Sequence, residues 1–283
     1  MADRMHDLLR LPSGPVDLAL IDPRGTPGFK GKKKAGLAVL PDMAAELGTL
    51  QEQLFAAGYT GDERRILLVL QGMDTSGKGG VVSHAVGLLN PIGVRLKSFK
   101  APTKQELAHD FLWRVKKEVP GRGTIGIFDR SHYEDVLVVR VQRLAAAAEI
   151  ERRYEAINDW ERRLVGSGTT VVKCMLYVSA DEQKERLLAR LDDPTKQWKF
   201  QPGDVDSREL WPAYRQAYEI ALERCNTERA PWYVVPSDRK WYRNSAIATL
   251  LLETLRDMDL SWPRPGYDVA IQRQRLLDEK PVS

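Results

Sequence analysis

The sequence predicts an α/β fold in which helices cover both faces of a mainly parallel sheet. Apolar runs rich in β-branched residues alternate with segments of helical periodicity from about residue 65 to residue 258. A glycine-rich turn joins the first of these runs to a helix-like segment. Strands that alternate with helices form parallel sheets, and such sheets bind ligands beyond the carboxyl ends of their strands.

The N-terminal elements are predicted from their breakers and their periodicity. Four prolines within residues 1–40 predict an irregular arm: Pro12, Pro15, Pro23 and Pro27. Leu47, Leu50 and Leu54 have helical spacing, so a helix is expected over residues 41–58 with Pro41 near its start. The first core strand then follows at residues 65–71, a helix at 81–89 and a half-buried strand at 94–99.

The middle of the chain contains one short strand between helices. Pro102 and Thr103 predict the start of a helix that ends at Pro120. Residues 124–128 are apolar and predict a strand that ends just before Asp129. No glycine or proline occurs in residues 127–165, which predicts a long helix, interrupted near the alanine run at 145–148.

The C-terminal half repeats the alternation. Residues 169–178 give the clearest strand of the chain, and Ser179 is expected to cap a helix that reaches about Leu191. Residues 195–207 are polar and predict a loop, and a helix is expected at 208–226. The last strand is predicted at 232–235, the last helix at 241–258, and residues 261–283 as an extended or loose tail.

The composition excludes several classes of protein. A chain of 283 residues, 43% hydrophobic and 29% charged, is long enough for one large α/β domain with insertions or for two small domains. It contains no apolar run of about 18 residues and no apolar leader, so we expect a cytoplasmic protein without a membrane partner. Cys174 and Cys225 are too few for a disulfide framework or a zinc site, and Cys174 is expected in the core.

The turn after the first strand has the spacing of a phosphate-binding loop, Gly-x-x-x-x-Gly-Lys. It reads Gly72-Met73-Asp74-Thr75-Ser76-Gly77-Lys78-Gly79-Gly80. Glycines let successive backbone N–H groups turn inward and form an anion site, and the following helix adds the positive end of its dipole. Lys78 supplies a mobile charge for the outer phosphates. A glycine-rich turn without a ligand is the alternative, and the strand–turn–helix context disfavours it.

Two carboxylates are candidates for a metal site. The residue after the lysine is normally Ser or Thr, whose hydroxyl holds Mg²⁺, but here it is Gly79. Asp74 lies inside the loop, and Asp129 ends an apolar strand in the manner of a Walker B aspartate. We therefore predict that Asp74 and Asp129 bind Mg²⁺, with Mn²⁺ as a substitute. A strand-end aspartate that only caps a helix is the alternative for Asp129.

Cationic side chains suggest a polyanionic ligand. The net charge is only +4, but two windows contain bases and no acid: Arg24, Lys30, Lys32, Lys33 and Lys34, then Arg95, Lys97, Lys100 and Lys104. Nucleic acid, nucleotide phosphates or inorganic polyphosphate would suit them, whereas a solvated basic face is the alternative for either window alone. Arg130 adjoins the metal carboxylate, and Arg186 and Arg190 lie one helical turn apart before the polar loop. In small-molecule kinases such a region is a lid that excludes water.

These motifs resemble the polyphosphate kinase 2 family. The resemblance is carried by the loop at 72–80, by Phe128-Asp129-Arg130-Ser131-His132-Tyr133-Glu134-Asp135 and by Thr26-Pro27-Gly28-Phe29. It extends over roughly residues 20–260 and implies a thymidylate-kinase-like, three-layer P-loop kinase fold with a helical lid. On that basis residues 1–283 are one kinase domain. Its parts are an arm at 1–40, a core at 41–180, a lid at 181–228, the last strand and helix at 229–260, and a tail at 261–283.

The resemblance also implies an activity and residue roles. The activity is Mg²⁺-dependent, reversible phosphoryl transfer between inorganic polyphosphate and the nucleotides AMP, ADP and ATP, with guanine nucleotides as further substrates. Asp74 and Asp129 would be metal and catalytic carboxylates, Lys78 and Arg130 would hold phosphate, and Arg190 would be the lid arginine. Glu134 is similar to the residue of family members that phosphorylate both mono- and diphosphates. Lys97, Lys100 and Arg186 would suit a polyphosphate channel, and a homodimer or homotetramer is expected.

Other classes of function remain open on the sequence. An ATP-dependent nucleotide or small-molecule kinase would carry the same loop, and only the phosphoryl donor distinguishes it. A nucleic-acid-binding ATPase would use the basic windows on a phosphate backbone, but no recognition motif accompanies them, so no nucleic-acid partner is expected. A regulatory GTPase is disfavoured because the Asn-Lys-x-Asp motif that reads guanine is absent from the sequence.

Overall fold

The computed structural model describes residues 4–279, which form one five-stranded sheet with helices on both faces. The strand order is β2-β3-β1-β4-β5, and every neighbouring pair is parallel. The strands are β1 (Arg65–Gln71), β2 (Val94–Ser98), β3 (Ile125–Asp129), β4 (Thr169–Tyr177) and β5 (Trp232–Pro236). The predicted mainly parallel α/β fold is confirmed, and so are its strands within one or two residues.

Helices occupy two layers. They are α1 (Met5–Leu9), α2 (Lys33–Tyr59), α3 (Lys78–His84), α4 (Lys104–Leu107), α5 (Trp113–Lys116), α6 (Val138–Val141), α7 (Ala147–Gly166), α8 (Ala180–Asp192), α9 (Gly203–Glu209), α10 (Trp211–Arg224), α11 (Lys240–Asp257) and α12 (Val269–Asp278). Helices α1, α2, α3 and α11 contribute to one hydrophobic layer, and α7 and α10 to the other. None of these helices is both long and apolar enough to cross a bilayer.

The central strand β1 explains why the sheet is parallel and buried. Side chains of a strand point alternately to its two faces. Ile66, Leu68 and Leu70 enter the layer of α2 and α11, whereas Leu67 and Val69 enter the layer of α7 and α10. Both faces of β1 therefore need apolar residues, which is why this strand reads as a continuous hydrophobic run.

Helix α2 begins eight residues before the predicted start. Pro41 lies inside it, although proline removes one helical hydrogen bond. Gly36 lies so close to Trp241 of α11 that a Cβ would be 2.1 Å from the indole ring. Leu47 and Leu54 are buried in the same layer. This long packing surface stabilises the helix beyond the local cost of the proline. The prediction of an irregular chain up to residue 40 is therefore wrong for residues 33–40, and it is also wrong for residues 5–9, which form α1.

Other predicted boundaries differ from the structure as well. The helix expected from Thr103 to Pro120 is two short helices, α4 and α5, and Asp110 accepts from the backbone N–H of Leu112 in the turn that leads into α5. The long helix expected over 127–165 is a turn at His132–Asp135 followed by α6 and α7. Helix α3 starts at Lys78 rather than residue 81, the expected loop at 195–207 contains part of α9, and the expected loose tail contains α12.

Candidate active site at the carboxyl edge of the sheet

The phosphate-binding loop and Asp129 meet at one edge of the sheet. The loop follows β1, Asp129 ends the neighbouring strand β3, and Leu70 is paired in register with Asp129. Carboxyl ends of adjacent parallel strands form the crevice where ligands bind in this class of sheet. The topology therefore brings together two motifs that are far apart in the sequence, the loop at 72–80 and Asp129.

The loop has the conformation that an anion site needs. Gly72 and Gly77 have φ angles of 153° and 106°, and Thr75 has 63°, so three of its residues have positive φ. Helix α3 begins directly after Gly77, so its N-terminal N–H groups face the loop. Among residues 4–279, no acceptor is bonded to the N–H groups of Thr75 and Gly77. These donors are free for a phosphate oxygen.

Side chains of the loop point to a ligand as well. The hydroxyls of Thr75 and Ser76 are buried and have no hydrogen-bond partner in the described part of the chain. Buried polar atoms rarely stay unpaired in native proteins, so these two hydroxyls indicate that a ligand binds at the loop. Together with the free N–H groups they form a set of donors around one concave loop.

Lys78 is folded back onto the loop. Its ammonium donates to the carbonyl of Gly72 at 2.7 Å, and the side chain is almost fully buried. Burial, and next the charge of Arg130, lower the pKa of the Lys78 ammonium. A polyphosphate or nucleotide anion would restore the balance of charge around this lysine.

Asp129 has one oxygen held and one free. The Ser98 hydroxyl donates to Asp129 Oδ2 at 3.1 Å, which orients the carboxylate from the adjacent strand β2. Asp129 Oδ1 is buried, and no residue in the described range donates to it. A buried carboxylate oxygen without a donor suits a cation, because burial of an unpaired negative charge is otherwise unfavourable.

Arg130 joins the loop to the turn after β3. It donates from Nη2 to Asp74 Oδ1 at 2.8 Å, and its Nη1 lies 3.7 Å from Glu134 Oε2. Its φ of 64° is unusual for a residue other than glycine and directs the side chain across the site. Burial opposes the charge of Arg130, but Glu134 and Asp74 outweigh it and raise its pKa.

Glu134 is held beneath Arg130. With the Gln71 amide oriented to satisfy both of its ends, its nitrogen donates to Glu134 Oε1 at 3.0 Å and its oxygen accepts from Ser131 Oγ at 2.9 Å. Burial raises the pKa of the Glu134 carboxyl, although Arg130 and Lys78 act in the opposite direction. The turn at His132–Asp135 thus presents a carboxyl that burial favours in the neutral form and that Arg130 and Lys78 favour in the ionised form.

Two cavities share the Arg130–Glu134 pair as a wall. The first, of about 180 Å³, lies against the phosphate-binding loop and is bounded on the other side by Trp211 and Tyr214 of α10. The second, of about 290 Å³, is more apolar and includes Phe99 and Lys100. Two ligands could therefore bind at once and approach each other at Arg130.

The carboxylates present are compatible with one divalent cation. No group of three or more metal-ligating side chains occurs in residues 4–279. Mg²⁺ does not require such a group, since it is commonly held by one or two carboxylates and by substrate phosphates. Asp129 Oδ1, which has no donor within residues 4–279, could provide one ligand, and Asp74 could provide a second if Arg130 released it. Gly79 has open space around its Cα and no hydroxyl to contribute.

Three of the predicted site residues lie elsewhere. Arg190 donates to the carbonyl of Lys199 at 3.3 Å at the end of α8, away from the loop. Lys97 forms an ion pair with Glu118 at 2.6 Å on the edge strand. The structure corrects the assignment of Arg186 to a polyphosphate channel, because its guanidinium is buried and bonded to backbone carbonyls behind the loop. Lys100, by contrast, lines the second cavity.

Several polar residues of the site lie outside the motifs that the sequence shows. Ser98 and Gln71 are at or next to the ends of β2 and β1, so their position at strand ends was a usable signal. Gln183 and Arg243 also contact the loop, but they are more than 100 residues from it and gave no local signal. Trp211 and Tyr214 of α10 also line the first cavity, and their helical spacing does not distinguish a cavity wall from core packing.

His132 belongs to a buried network rather than to the open site. It lies 3.2 Å from Glu161, which also accepts from Tyr133 at 2.8 Å and from Lys173 at 2.6 Å. Lys173 further donates to the carbonyl of Cys225 at 2.6 Å. Burial lowers the pKa of His132. This network fixes the turn after β3 against α7 and β4.

Comparisons with known proteins agree on one family. The family model described as Polyphosphate kinase 2 matches residues 30–263. An AMP/ADP-polyphosphate phosphotransferase of Meiothermus ruber is 46% identical over 254 residues, which cover 90% of this chain and 94% of the relative. An ADP-polyphosphate phosphotransferase of Rhodopseudomonas palustris is 37% identical over 278 residues, which cover 93% of this chain and 94% of the relative. The crystal structure of Polyphosphate Kinase 2 from Arthrobacter aurescens TC1 superposes with a TM-score of 0.96 at 52% identity, over 98% of both chains.

Proposed function

The chain belongs to the polyphosphate kinase 2 family, and we propose that it transfers phosphoryl groups reversibly from inorganic polyphosphate to AMP and ADP, forming ADP and ATP. It is a polyphosphate-dependent nucleotide phosphotransferase. The main support for a reaction between two bound substrates is the pair of cavities that meet at Arg130 and Glu134 beside the phosphate-binding loop. A single-substrate site would not need the second cavity.

We place the polyphosphate chain along the loop and the nucleotide in the second cavity. The free N–H groups of Thr75 and Gly77 and the ammonium of Lys78 match successive phosphate oxygens. The apolar lining of the second cavity suits a nucleobase and ribose, with Lys100 near the acceptor phosphates. Guanine nucleotides are also proposed as substrates, because the apolar part of this lining, with Phe99, Leu107 and Val139, accepts either purine ring.

Mg²⁺ is the proposed cofactor, with Mn²⁺ as a substitute, and Asp74 and Asp129 are its proposed protein ligands. When bound, the cation would neutralise charge on the transferring phosphoryl group and orient its oxygens. The support is the buried, unpaired oxygen of Asp129 and its position beside the loop. Release of Asp74 from Arg130 would free a carboxylate and a guanidinium at the same time.

Catalysis on this chain consists mainly of positioning and of charge placed around the phosphoryl group. Lys78 and the loop hold the donor, and Arg130 stands where the two cavities meet. Arg190 would reach the site only by movement of the lid, since it bonds to Lys199 in the present conformation. We propose that lid closure brings Arg190 to the phosphates and excludes water from them.

The proposed donor is tested with purified protein, Mg²⁺, long-chain polyphosphate and either AMP or ADP, with ADP and ATP followed by chromatography over time. Polyphosphate without any nucleoside triphosphate is expected to support both conversions. Activity with ATP plus a nucleoside monophosphate, but none with polyphosphate, would instead identify an ATP-dependent kinase. A chelator added to a parallel reaction tests the metal, and its effect should be reversed by excess Mg²⁺.

Assembly and partners complete the proposal. We propose a homodimer or homotetramer on the strength of the family, to be measured by sedimentation or light scattering. Nucleic acid is not a proposed partner, and the test is the absence of salt-sensitive DNA or RNA binding. Competition of such binding by polyphosphate would place nucleic acid on the substrate site instead.

A further inference from the structure

Three consecutive carbonyls of the phosphate-binding loop are each held by a side chain from outside the loop. Gln183 Nε2 donates to the carbonyl of Asp74 at 2.9 Å. Arg186 Nη1 donates to the carbonyl of Thr75 at 2.8 Å and to that of Ser76 at 3.2 Å. Arg243 Nη1 donates to the carbonyl of Ser76 at 3.0 Å. These donors come from α8 and α11, two helices that begin after β4 and β5.

The planar peptide group converts this contact into control of the anion site. In a trans peptide the carbonyl of one residue and the N–H of the next point in opposite directions. A carbonyl of Asp74 held from behind therefore turns the N–H of Thr75 towards the front, and a held carbonyl of Ser76 does the same for Gly77. Those two N–H groups have no acceptor in the part of the chain that the structure describes.

Arg186 is fully engaged as a structural donor. In addition to the loop, its Nη2 donates to the carbonyls of Ser237 and Asp238 at 2.6 and 3.0 Å, and its Nε donates to Glu182 at 2.8 Å. Its guanidinium thus links the loop to the connection between β5 and α11. A planar fork with fixed donors can bind this set of acceptors, and a lysine ammonium cannot span it.

Two glycines of the loop leave space for Arg243. A Cβ on Gly77 would lie 1.7 Å from Arg243 Nη1, and a Cβ on Gly80 would lie 2.5 Å from Arg243 Nη2. The same guanidinium is fixed by Asn244, whose Oδ1 accepts at 2.9 and 3.1 Å. The glycines at these positions therefore allow a side chain to approach from behind, in addition to giving the loop its shape.

We propose that Gln183, Arg186 and Arg243 are positioning residues that set the direction of the loop N–H groups and thereby the affinity for the phosphate chain bound there. They act through the carbonyls of residues 74–76. Arg186 and Arg243 line neither cavity, whereas Gln183 also borders the first cavity. Gln183 also connects this set to the lid, since its Oε1 accepts from Arg208 of α9 at 2.8 Å. The inference rests on the proposed function only for the identity of that phosphate chain.

The test is direct binding of tripolyphosphate to the full-length protein without nucleotide, followed by steady-state kinetics. Arg186→Met and Arg243→Gln are expected to weaken tripolyphosphate binding at least about tenfold and to raise the KM for polyphosphate similarly. The KM for ADP should change less than about twofold, because the second cavity contains none of these residues. Arg186→Lys should not restore binding, since it lacks the fork.

Gln183→Leu keeps the test decisive if an arginine variant fails to fold, because it removes a single loop contact and leaves both guanidinium groups in place. It should weaken tripolyphosphate binding by a smaller factor, of several-fold. Lys184→Met, an exposed neighbour on the same helix, controls for altered charge and should bind as wild type does.

The outcomes separate the two proposals. If the wild-type protein fails to bind tripolyphosphate, the proposed function fails, whatever the variants do. If wild type binds but folded Arg186→Met, Arg243→Gln and Gln183→Leu bind equally well, the positioning role is wrong. Equal increases in KM for polyphosphate and ADP would also overturn it, since they would indicate general disturbance of the fold.

Discussion

Arg130 and Asp74 form a 2.8 Å hydrogen-bonded ion pair that bridges the turn after β3 and the loop after β1. Both side chains are partly exposed, at 40% and 34%, so each can exchange its partner for a charge that a substrate brings. The two residues predicted for different tasks, phosphate contact and metal binding, thus neutralise each other in this conformation.

Replacement of Arg130 should therefore affect turnover more than folding. Arg130→Met is expected to lower kcat by at least about a hundredfold, because the guanidinium lies where the two cavities meet. Arg130→Lys should lower kcat by a smaller factor. An ammonium keeps the positive charge but lacks the planar fork that contacts Asp74 and Glu134 together. Steady-state rates with polyphosphate and ADP measure both. A lysine variant with wild-type kcat would show that only the charge is needed.

Asp129→Asn and Asp74→Asn should each lower kcat at least roughly a hundredfold, with the fold intact. Within residues 4–279 no group donates to the buried Asp129 Oδ1, and an amide lacks the negative charge of the carboxylate that would bind the cation. Thermal unfolding monitors the fold, and the exposed Asp159→Asn serves as a matched control. Near-normal turnover of Asp74→Asn would mean that Asp74 only shapes the loop.

Glu134→Asn should reduce phosphorylation of AMP more than that of ADP. AMP is one phosphate shorter, and about 1 Å of misplacement can cost about a hundredfold in rate. A carboxylate in the shared wall of the cavities could hold water or a cation that compensates for this length. The ratio of kcat/KM for AMP and ADP should fall at least about tenfold. An unchanged ratio would contradict the selective role, and Glu134→Gln distinguishes charge from size.

The raised pKa of Glu134 gives a stability prediction. The folded state binds this proton more strongly than the unfolded state does, so ionisation of Glu134 costs stability as pH rises through its folded pKa. Glu134→Gln removes that cost and should raise Tm above wild type at pH 8. The difference should shrink as pH falls towards the ordinary carboxyl pKa. A Tm difference that is independent of pH would exclude this origin.

Lys173→Met should destabilise the protein without any change at the open site. Lys173 and Glu161 are both fully buried and 2.6 Å apart, and loss of one partner from a buried ion pair costs about 3–5 kcal/mol. Denaturant unfolding measures this free energy. The double variant Lys173→Met/Glu161→Leu should recover a substantial part of the loss, because no unpaired charge remains. If the unfolding free energy of Lys173→Met is within about 1 kcal/mol of wild type, the buried ion pair does not stabilise the fold as predicted.

What could be predicted from the sequence was local. The loop at 72–80 and Asp129 were identified because each motif is continuous and directly follows an apolar strand. The contacts of Gln183 and Arg243 could not be predicted, since they depend on how α8 and α11 pack behind the loop. Arg186 was assigned to the substrate from its charge and spacing, whereas its neighbours in space are backbone carbonyls.

Helix boundaries failed for the same reason. Pro41 is a local signal against a helix. The contact that stabilises this helix joins Gly36 to Trp241, 205 positions later in the chain, and no local pattern predicts it. Asp110, conversely, forms a hydrogen bond in the turn between α4 and α5, and the hydrophobic periodicity gives no sign of that turn. The buried strands were placed accurately because burial on both faces makes their composition uniform, whereas the more exposed β2 was placed by its alternation of apolar and basic residues.

The position of β1 at the centre of the sheet has a consequence for biosynthesis. Its pairing partners are residues 125–129 and 169–175, so neither edge of this apolar strand can be satisfied until much of the chain has been made. At about 5–20 residues per second, synthesis from residue 71 to residue 175 takes roughly 5–20 seconds. During this interval a segment rich in Leu and Val is available for aggregation, and chaperone binding to the nascent chain would be directed to it.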